Sequence, residues 1–287
     1  MRFSVVLASQ EHRLKSVPLK HAPWWKMRGD TGVPVKGTQP EDAANEADAS
    51  RKVREMFAKI APRYDLLNHL LSLQLDRLWR KRTSRLLRPI LQRPGADVLD
   101  LCCGTGDLSF SLAREGKARI FGADFAHPML VRAKEKSASQ SGRSSNGTPR
   151  ILPFLEADAL RLPFGDNGFD LVTAAFGFRN LANYEAGLRE IHRVLKPGGT
   201  IAILEFTEPP DGLRGDAYRW YFRSVLPRIG AAISGDSAAY TYLPKSVSRF
   251  FRPPELASLM QQLGYVSANF RLWTFATVAL HTAQRPL

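Results

Sequence analysis

Three aspartates and a pair of glycines carry the first chemistry this sequence offers. In DVLDLCCGTGDLSFSLA, residues 97–113, an apolar run enters a turn at Gly104 and Gly106 and leaves as a helical pattern. Such a turn lets backbone N–H groups approach a ligand at a helix N-terminus. As a dinucleotide fingerprint, G-x-G-x-x-G/A, it fits in part, with Ser109 at the third small position. Asp124 ends RIFGAD at the distance from the turn where a carboxylate would accept both hydroxyls of a ribose. Nicotinamide dinucleotides and S-adenosylmethionine both present that ribose. Asp100, just before the turn, suits a nearby ammonium and is poorly placed beside a pyrophosphate, which favours the adenosyl amino acid. Asp158, in EADALRLPFGDNGFD, would take a hydrogen bond from an adenine amino group and leave the Ala159 N–H for a ring nitrogen. Each aspartate alone reads better as a loop or helix cap than as a ligand contact. As a spaced set they point to a cofactor site.

The elements that must position these residues follow from the pattern. The apolar runs VLDL, RIFGAD, ILPFLEAD, FDLVTAAF and TIAILEF alternate with helical stretches, which predicts a parallel sheet covered by helices on both faces. VSANFRLW and FATVALHTA add two final strands joined by a tight connection, making seven. LKPGG at 195–199 ends a helix and turns into the fifth strand, and SASQSGRSSNGTP at 137–149 reads as a polar loop. Ahead of the sheet, Val53, Met56, Phe57, Ile60, Ala61 and Tyr64 keep helical spacing, with Pro62 placed to kink or end that helix. A second helical region, residues 64–87, carries the basic cluster Arg77, Arg80, Lys81, Arg82 and Arg85. Residues 1–48 show no periodicity and read as a disordered tail. A single domain then spans 49–287: helical substrate and lid region 49–95, cofactor-binding core 96–206, and substrate-side helices with the final strands 207–287.

The chain has 287 residues, 44% of them hydrophobic, which suffices for a large buried core. Its formal charge of +14 favours an anionic partner, without choosing among nucleic acid, membrane surface and acidic substrate. No zinc-ligand spacing, RNA-binding aromatic signature or DNA-binding helix pair is present, so neither a metal nor a nucleic-acid partner is expected. No apolar run reaches the length of a membrane span, and the N-terminus lacks the apolar centre of a secretory signal. The two cysteines, Cys102 and Cys103, are adjacent and imply no disulfide framework. These features together predict a cytoplasmic protein.

From about Lys52 to Leu280 the sequence resembles class I S-adenosylmethionine-dependent methyltransferases, and within them the UbiE/MenG family of quinone-biosynthesis C-methyltransferases. The stretches that carry the resemblance are FAKIAPRYDLLNHLLSLQLDRLWR, VLDLCCGTGD, EADALRLPF, FGFRNLANYEAGLREIHRVLKPGG, LEFTEPP, YTYLPKSV and VALH. It implies an α/β, Rossmann-like fold with seven mostly parallel strands, the last antiparallel, and extra N-terminal helices. The implied cofactor is S-adenosyl-L-methionine, contacted by Thr105, Asp124 and the Asp158–Ala159 pair. The implied substrate is a polyprenylated quinol, with demethylmenaquinol first and the methoxy-benzoquinol of ubiquinone synthesis as the alternative. A silent basic scaffold would be the reading from outside the enzymes. Three positions depart from the family: Ala175 stands where some members have Ser, Asp76 where His is frequent, and Phe178 where Leu is usual.

Methylation of a ring carbon needs an ionised quinol oxygen and an aligned methyl donor. Arg179, beyond the fourth strand, is expected at the ligand edge, where its cation would stabilise the phenolate or orient a water. Asn180 would hydrogen-bond the ring oxygen and Tyr64 would close over the ring. Against these stand a loop-anchoring arginine and a tyrosine that packs in its helix. The prenyl tail gives meaning to AYRWYFRSVLPRIG, residues 217–230, as an apolar wall with basic flanks. That segment and the cluster at 77–85 would touch an anionic membrane surface, placing the chain peripherally on the inner face of the cytoplasmic membrane. A homodimer, or an association with other quinone-biosynthesis enzymes, is compatible with the same reading.

Overall fold

Val98 and Leu99 are neighbours in the first strand, both wholly buried, and they enter different apolar layers. The same split recurs at Leu171 and Val172 and at Ile201 and Ala202, which is the mark of a sheet covered on both faces. In the computed structural model the described residues are 37–38, 40, 43–65, 72, 74–140, 152–210, 212–221, 224 and 237–287. Seven strands form one sheet: β1 Asp97–Leu101, β2 Arg119–Asp124, β3 Phe154–Glu156, β4 Phe169–Ala175, β5 Leu195–Phe206, β6 Val266–Trp273 and β7 Val278–Gln284. Their order is β3-β2-β1-β4-β5-β7-β6, with β7 antiparallel to both of its neighbours and the other pairs parallel. The strand order reverses between β1 and β4, so the crevice for a ligand lies at the carboxyl ends of those strands.

Beside a single helical turn at Arg88–Leu91, the helices described are α1 Glu46–Ile60, α2 Leu75–Leu86, α3 Asp107–Ala113, α4 His127–Gln140, α5 Tyr184–Val194, α6 Leu213–Trp220, α7 Ser237–Arg249 and α8 Pro253–Gln262. Pro62 acts as expected, in a 3-10 turn over Ala61–Arg63 that ends α1. Four boundaries differ from the pattern-based reading. The ordered chain starts before residue 49: Asn45 caps α1 through its side chain, and Thr38 donates its amide to Leu181 O at 2.7 Å. These local and long-range hydrogen bonds leave no periodicity to read; residues 1–36 of the expected tail lie outside the described residues. β3 is shorter than ILPFLEAD, and α4 continues to Gln140, through the start of the expected loop. LKPGG joins β5 itself, which starts at Leu195 opposite Phe169 and shifts register before Thr200 pairs with Leu171.

The antiparallel β7 has a positional consequence. Val278 pairs with Phe206 at the carboxyl end of β5 and with Trp273 of β6. The β6–β7 turn therefore sits on the same edge of the sheet as the crevice.

Candidate active site

The glycine turn is built on left-handed backbone. Cys102, Gly104 and Gly106 have φ of 53°, 55° and 86°, and the Cys103 and Gly106 amides are satisfied by Ala123 O and Cys103 O. Gly106 has no alternative, because a Cβ there would lie 2.9 Å from both Phe110 and Phe154. One carboxylate ties this turn to the next loop: Asp124 Oδ2 accepts the Gly104 amide at 2.8 Å and Oδ1 accepts the Ala126 amide at 2.9 Å. Burial pushes Asp124 above its ordinary range, against the lowering effect of those amides.

A cleft of about 630 Å³, counted out to open solvent, lies at this edge. That is room for an adenosyl amino acid with part of a second molecule. Asp124, Phe125 and Met129 line the cleft with Asp158, Ala159, Leu101, Cys102 and Gly104. Tyr64 and Phe57 line it on the side of Phe125 and Met129, with which they share an apolar cluster, and Phe176, Gly177 and Asn180 line it as well. Among the described residues the Ala159 amide has no partner, while Asp158 Oδ1 accepts from the Leu160 amide at 2.9 Å. A donor and a carboxylate acceptor are thus side by side, the pairing that an adenine edge needs. Asn180 is buried, and its Oδ1 accepts from Tyr242 Oη at 3.0 Å. Its Nδ2 has no partner among the described residues, so the fixed amide keeps a donor for whatever enters the cleft.

Four expected residues lie near the cleft and do not line it. Asp100 points inward, accepting from Ser109 Oγ at 2.5 Å and Thr173 Oγ1 at 2.9 Å. Burial pushes it up to about 6 despite those two donors. Ser109, the irregular third position of the fingerprint, is therefore the support of Asp100. Thr105 turns its hydroxyl to Asp65 Oδ1 at 2.5 Å, and Gly106 serves as the cap of α3. Arg179 takes the anchoring geometry. Its Nη1 donates to Glu205 Oε2 at 2.8 Å and to Phe176 O at 2.5 Å, and Glu205 Oε1 accepts its amide at 3.1 Å. The pair is sealed beneath the cleft wall, with Arg179 5% exposed and Glu205 0%.

Tyr64 lines the cleft and packs edge-on against Phe57 at 6.1 Å. The next residue secures it: Asp65 Oδ2 pairs with Lys136 Nζ at 2.6 Å, and that ammonium also reaches Thr105 Oγ1 and Asp107 Oδ1, each at 2.9 Å. Pattern reasoning missed Asp65, Lys136, Glu205, Tyr242 and Thr38. Glu205 and Tyr242 lie within LEFTEPP and YTYLPKSV, yet their partners are 26 and 62 residues away, so spacing carried no signal.

The three family departures are absorbed. Asp76 pairs with buried Arg80, which also lies 3.6 Å from Asp107 and 5.6 Å over the Phe176 ring. Phe178 stacks on Tyr184 and meets Phe250 edge-on, and Ala175 stays out of the cleft. Arg80 is thereby removed from the basic surface cluster. Of the 217–230 wall, Phe222, Val225 and Leu226 lie outside the described residues, and Trp220 is 65% exposed.

A sequence profile described as the ubiE/COQ5 methyltransferase family matches residues 45–285. The chain is 48% identical over 232 residues to a demethylmenaquinone methyltransferase of Thermus thermophilus, covering 80% of this chain and 100% of that protein. It is 40% identical over 242 residues to a ubiquinone/menaquinone biosynthesis C-methyltransferase UbiE of Geobacter sulfurreducens, covering 84% and 91%. In fold it is similar to the [4+2]-cyclase SpnF, with TM-score 0.59, 18% identity, and coverage of 87% and 100%. A SAM-dependent methyltransferase of Thermotoga maritima gives TM-score 0.53, 16% identity, and coverage of 80% and 99%.

Proposed function

The chain belongs to the ubiE/COQ5 methyltransferase family, and from that premise we propose that it methylates a ring carbon of demethylmenaquinol to give menaquinol. The observation that carries the naphthoquinol ring is the match along the full length of a protein named demethylmenaquinone methyltransferase. The protein is an S-adenosylmethionine-dependent methyltransferase. S-Adenosylmethionine supplies, when bound, a sulfonium methyl group that an electron-rich ring carbon attacks.

The roles proposed for this chain's residues follow from where they sit. Asp124 accepts the ribose hydroxyls on the lone pairs its two backbone amides leave open. Asp158 and the Ala159 amide read the adenine edge, and Gly104 gives the methionine end close approach to backbone. Asn180 donates Nδ2 to the quinol oxygen, favouring its ionised form and raising electron density at the ring carbon. Tyr64 and Phe57 hold the ring from the helical side. Arg179 with Glu205 acts as a positioning pair that fixes the Phe178–Asn180 turn. Asp100 and Thr105 set the shape of the glycine turn from behind. Peripheral contact with an anionic membrane surface belongs to this reading, since a polyprenyl tail stays in the bilayer. Among the described residues no helix is long and apolar enough to cross one.

Purified protein with S-adenosylmethionine and either reduced ring, naphthoquinol or methoxy-benzoquinol, tests the assignment by mass spectrometry of the products. Methylation of the naphthoquinol is expected. Methylation of the benzoquinol alone would overturn the ring, and of neither the activity.

A further inference from the structure

The helix α2 has two unlike faces. Its inner face touches the cleft wall: the Trp79 and Phe176 rings are 5.9 Å apart, and Arg80 lies over Phe176. Its outer face exposes Arg77, Leu78, Lys81, Arg82 and Arg85, with Leu78 55% exposed. Among the described residues Arg77 and Lys81 have no acidic partner. The charge there is of one sign along the chain, because no Asp or Glu occurs between Asp76 and Asp97, nor after Glu255.

The β6–β7 turn joins this surface. Trp79 Nε1 donates to Thr274 Oγ1 at 2.8 Å, and the Arg82 guanidinium lies 5.3 Å over the Trp273 ring. The next residue, Phe275, is 69% exposed in a run of three left-handed residues, with φ of 49°, 56° and 62° from Thr274 to Ala276. Extended or right-handed backbone is the ordinary state of such residues, so the turn holds an aromatic ring outward at a conformational cost. Cations interleaved with exposed apolar side chains fit the headgroup region of an anionic bilayer, where stems insert and charges meet phosphates.

We propose that the outer face of α2 and the Phe275 turn together seat the protein on an anionic lipid surface. Membrane contact then lies about one helix diameter from the cleft wall, so the ring of a lipid-borne substrate reaches Asn180 while its tail stays in the bilayer. The last clause rests on the quinol reading above; the lipid surface itself does not.

The test uses the full chain in sedimentation with vesicles of phosphatidylcholine alone and of phosphatidylcholine with phosphatidylglycerol, at moderate salt. The parent should bind only the anionic vesicles. Arg77→Gln with Lys81→Gln should weaken that binding by about thirtyfold, at about 1 kcal/mol per surface charge. Leu78→Ser with Phe275→Ser should weaken it by about tenfold with the charges kept. Both variants should retain S-adenosylmethionine affinity and turnover of a short-tailed, soluble quinol, while turnover of a long-tailed quinol in vesicles falls with binding. Vesicle binding equal to the parent's in both variants overturns the surface. So does parent binding to transfer RNA with none to anionic vesicles. Lack of turnover of the soluble quinol by the parent would instead count against the quinol reading and leave the vesicle result standing.

Discussion

Arg179 and Glu205 hold each other twice: the guanidinium donates to one carboxylate oxygen at 2.8 Å, and the other oxygen accepts the Arg179 amide at 3.1 Å. Tyr184 Oη adds a bond to Arg179 O at 2.8 Å, so the turn carrying Asn180 is fixed from three sides. Removing one member of a buried pair leaves the other charge uncompensated, at about 3–5 kcal/mol. Arg179→Ala should lower the urea midpoint by that equivalent and lose most turnover. Arg179→Met with Glu205→Leu should recover stability without recovering turnover. A single variant that unfolds at the parent's midpoint would remove the anchoring role.

Asn180 is aimed by Tyr242, whose hydroxyl bonds Asn180 Oδ1 at 3.0 Å and Thr38 Oγ1 at 2.7 Å. Asn180→Asp keeps the shape and loses the N–H donor. It should cut kcat by about a hundredfold or more, the scale for a lost donor to a developing oxyanion, with S-adenosylmethionine affinity unchanged. Tyr242→Phe frees the amide to rotate and should cut kcat by about tenfold. Steady-state kinetics beside titration calorimetry separates the two effects. A rise in KM with kcat intact would mean that Asn180 only binds the substrate.

Asp100 should write itself into the pH dependence of folding. Burial raises it to about 6, so the folded state favours the neutral acid. The stability this contributes is fully present below about pH 4 and is lost as the pH rises through 6. The loss is on the order of 3 kcal/mol by pH 7. Other buried groups titrate in the same window, His281 among them, so Asp100 is isolated by difference: in urea unfolding of the cofactor-free protein, the parent's stability relative to Asp100→Asn should fall by that amount between pH 4 and 7. If parent and variant keep a constant difference from pH 4 to 7, Asp100 is not the titrating group.

Asp158→Ala should weaken S-adenosylmethionine binding by about tenfold, the scale of one hydrogen bond to a charged acceptor. The fold should be little affected, because Asp158 has one side-chain bond, to the Leu160 amide. Calorimetry showing parental affinity would take the adenine contact away from this residue.

Strand periodicity made the sheet legible, because each strand is buried on both faces and written in apolar residues. The strand ends then located Asp124 and Asp158 without further help. The sequence was silent on which way a side chain turns. Asp100 and Asp124 occupy matching strand ends, yet Asp100 is captured by Ser109 and Thr173 while Asp124 faces the cleft. Arg179 reads as an exposed cation until Glu205, on another strand, is placed beneath it. Lys136 reads as one charge among many on α4, and only packing brings it to Asp65. Long-range electrostatic pairing has no period, and it decides which of the legible residues face the cleft.

The lysine bridge couples two events that the chain could otherwise perform separately. Lys136 holds Asp65, beside the cleft-lining Tyr64, and also Thr105 and Asp107 of the glycine turn. Any molecule that binds more tightly with Tyr64 seated must strengthen this bridge by the same free energy that the bridge lends to its binding. With a methyl donor on the Thr105 turn and an acceptor against Tyr64, as proposed above, this reciprocity would make each an effector of the other's affinity.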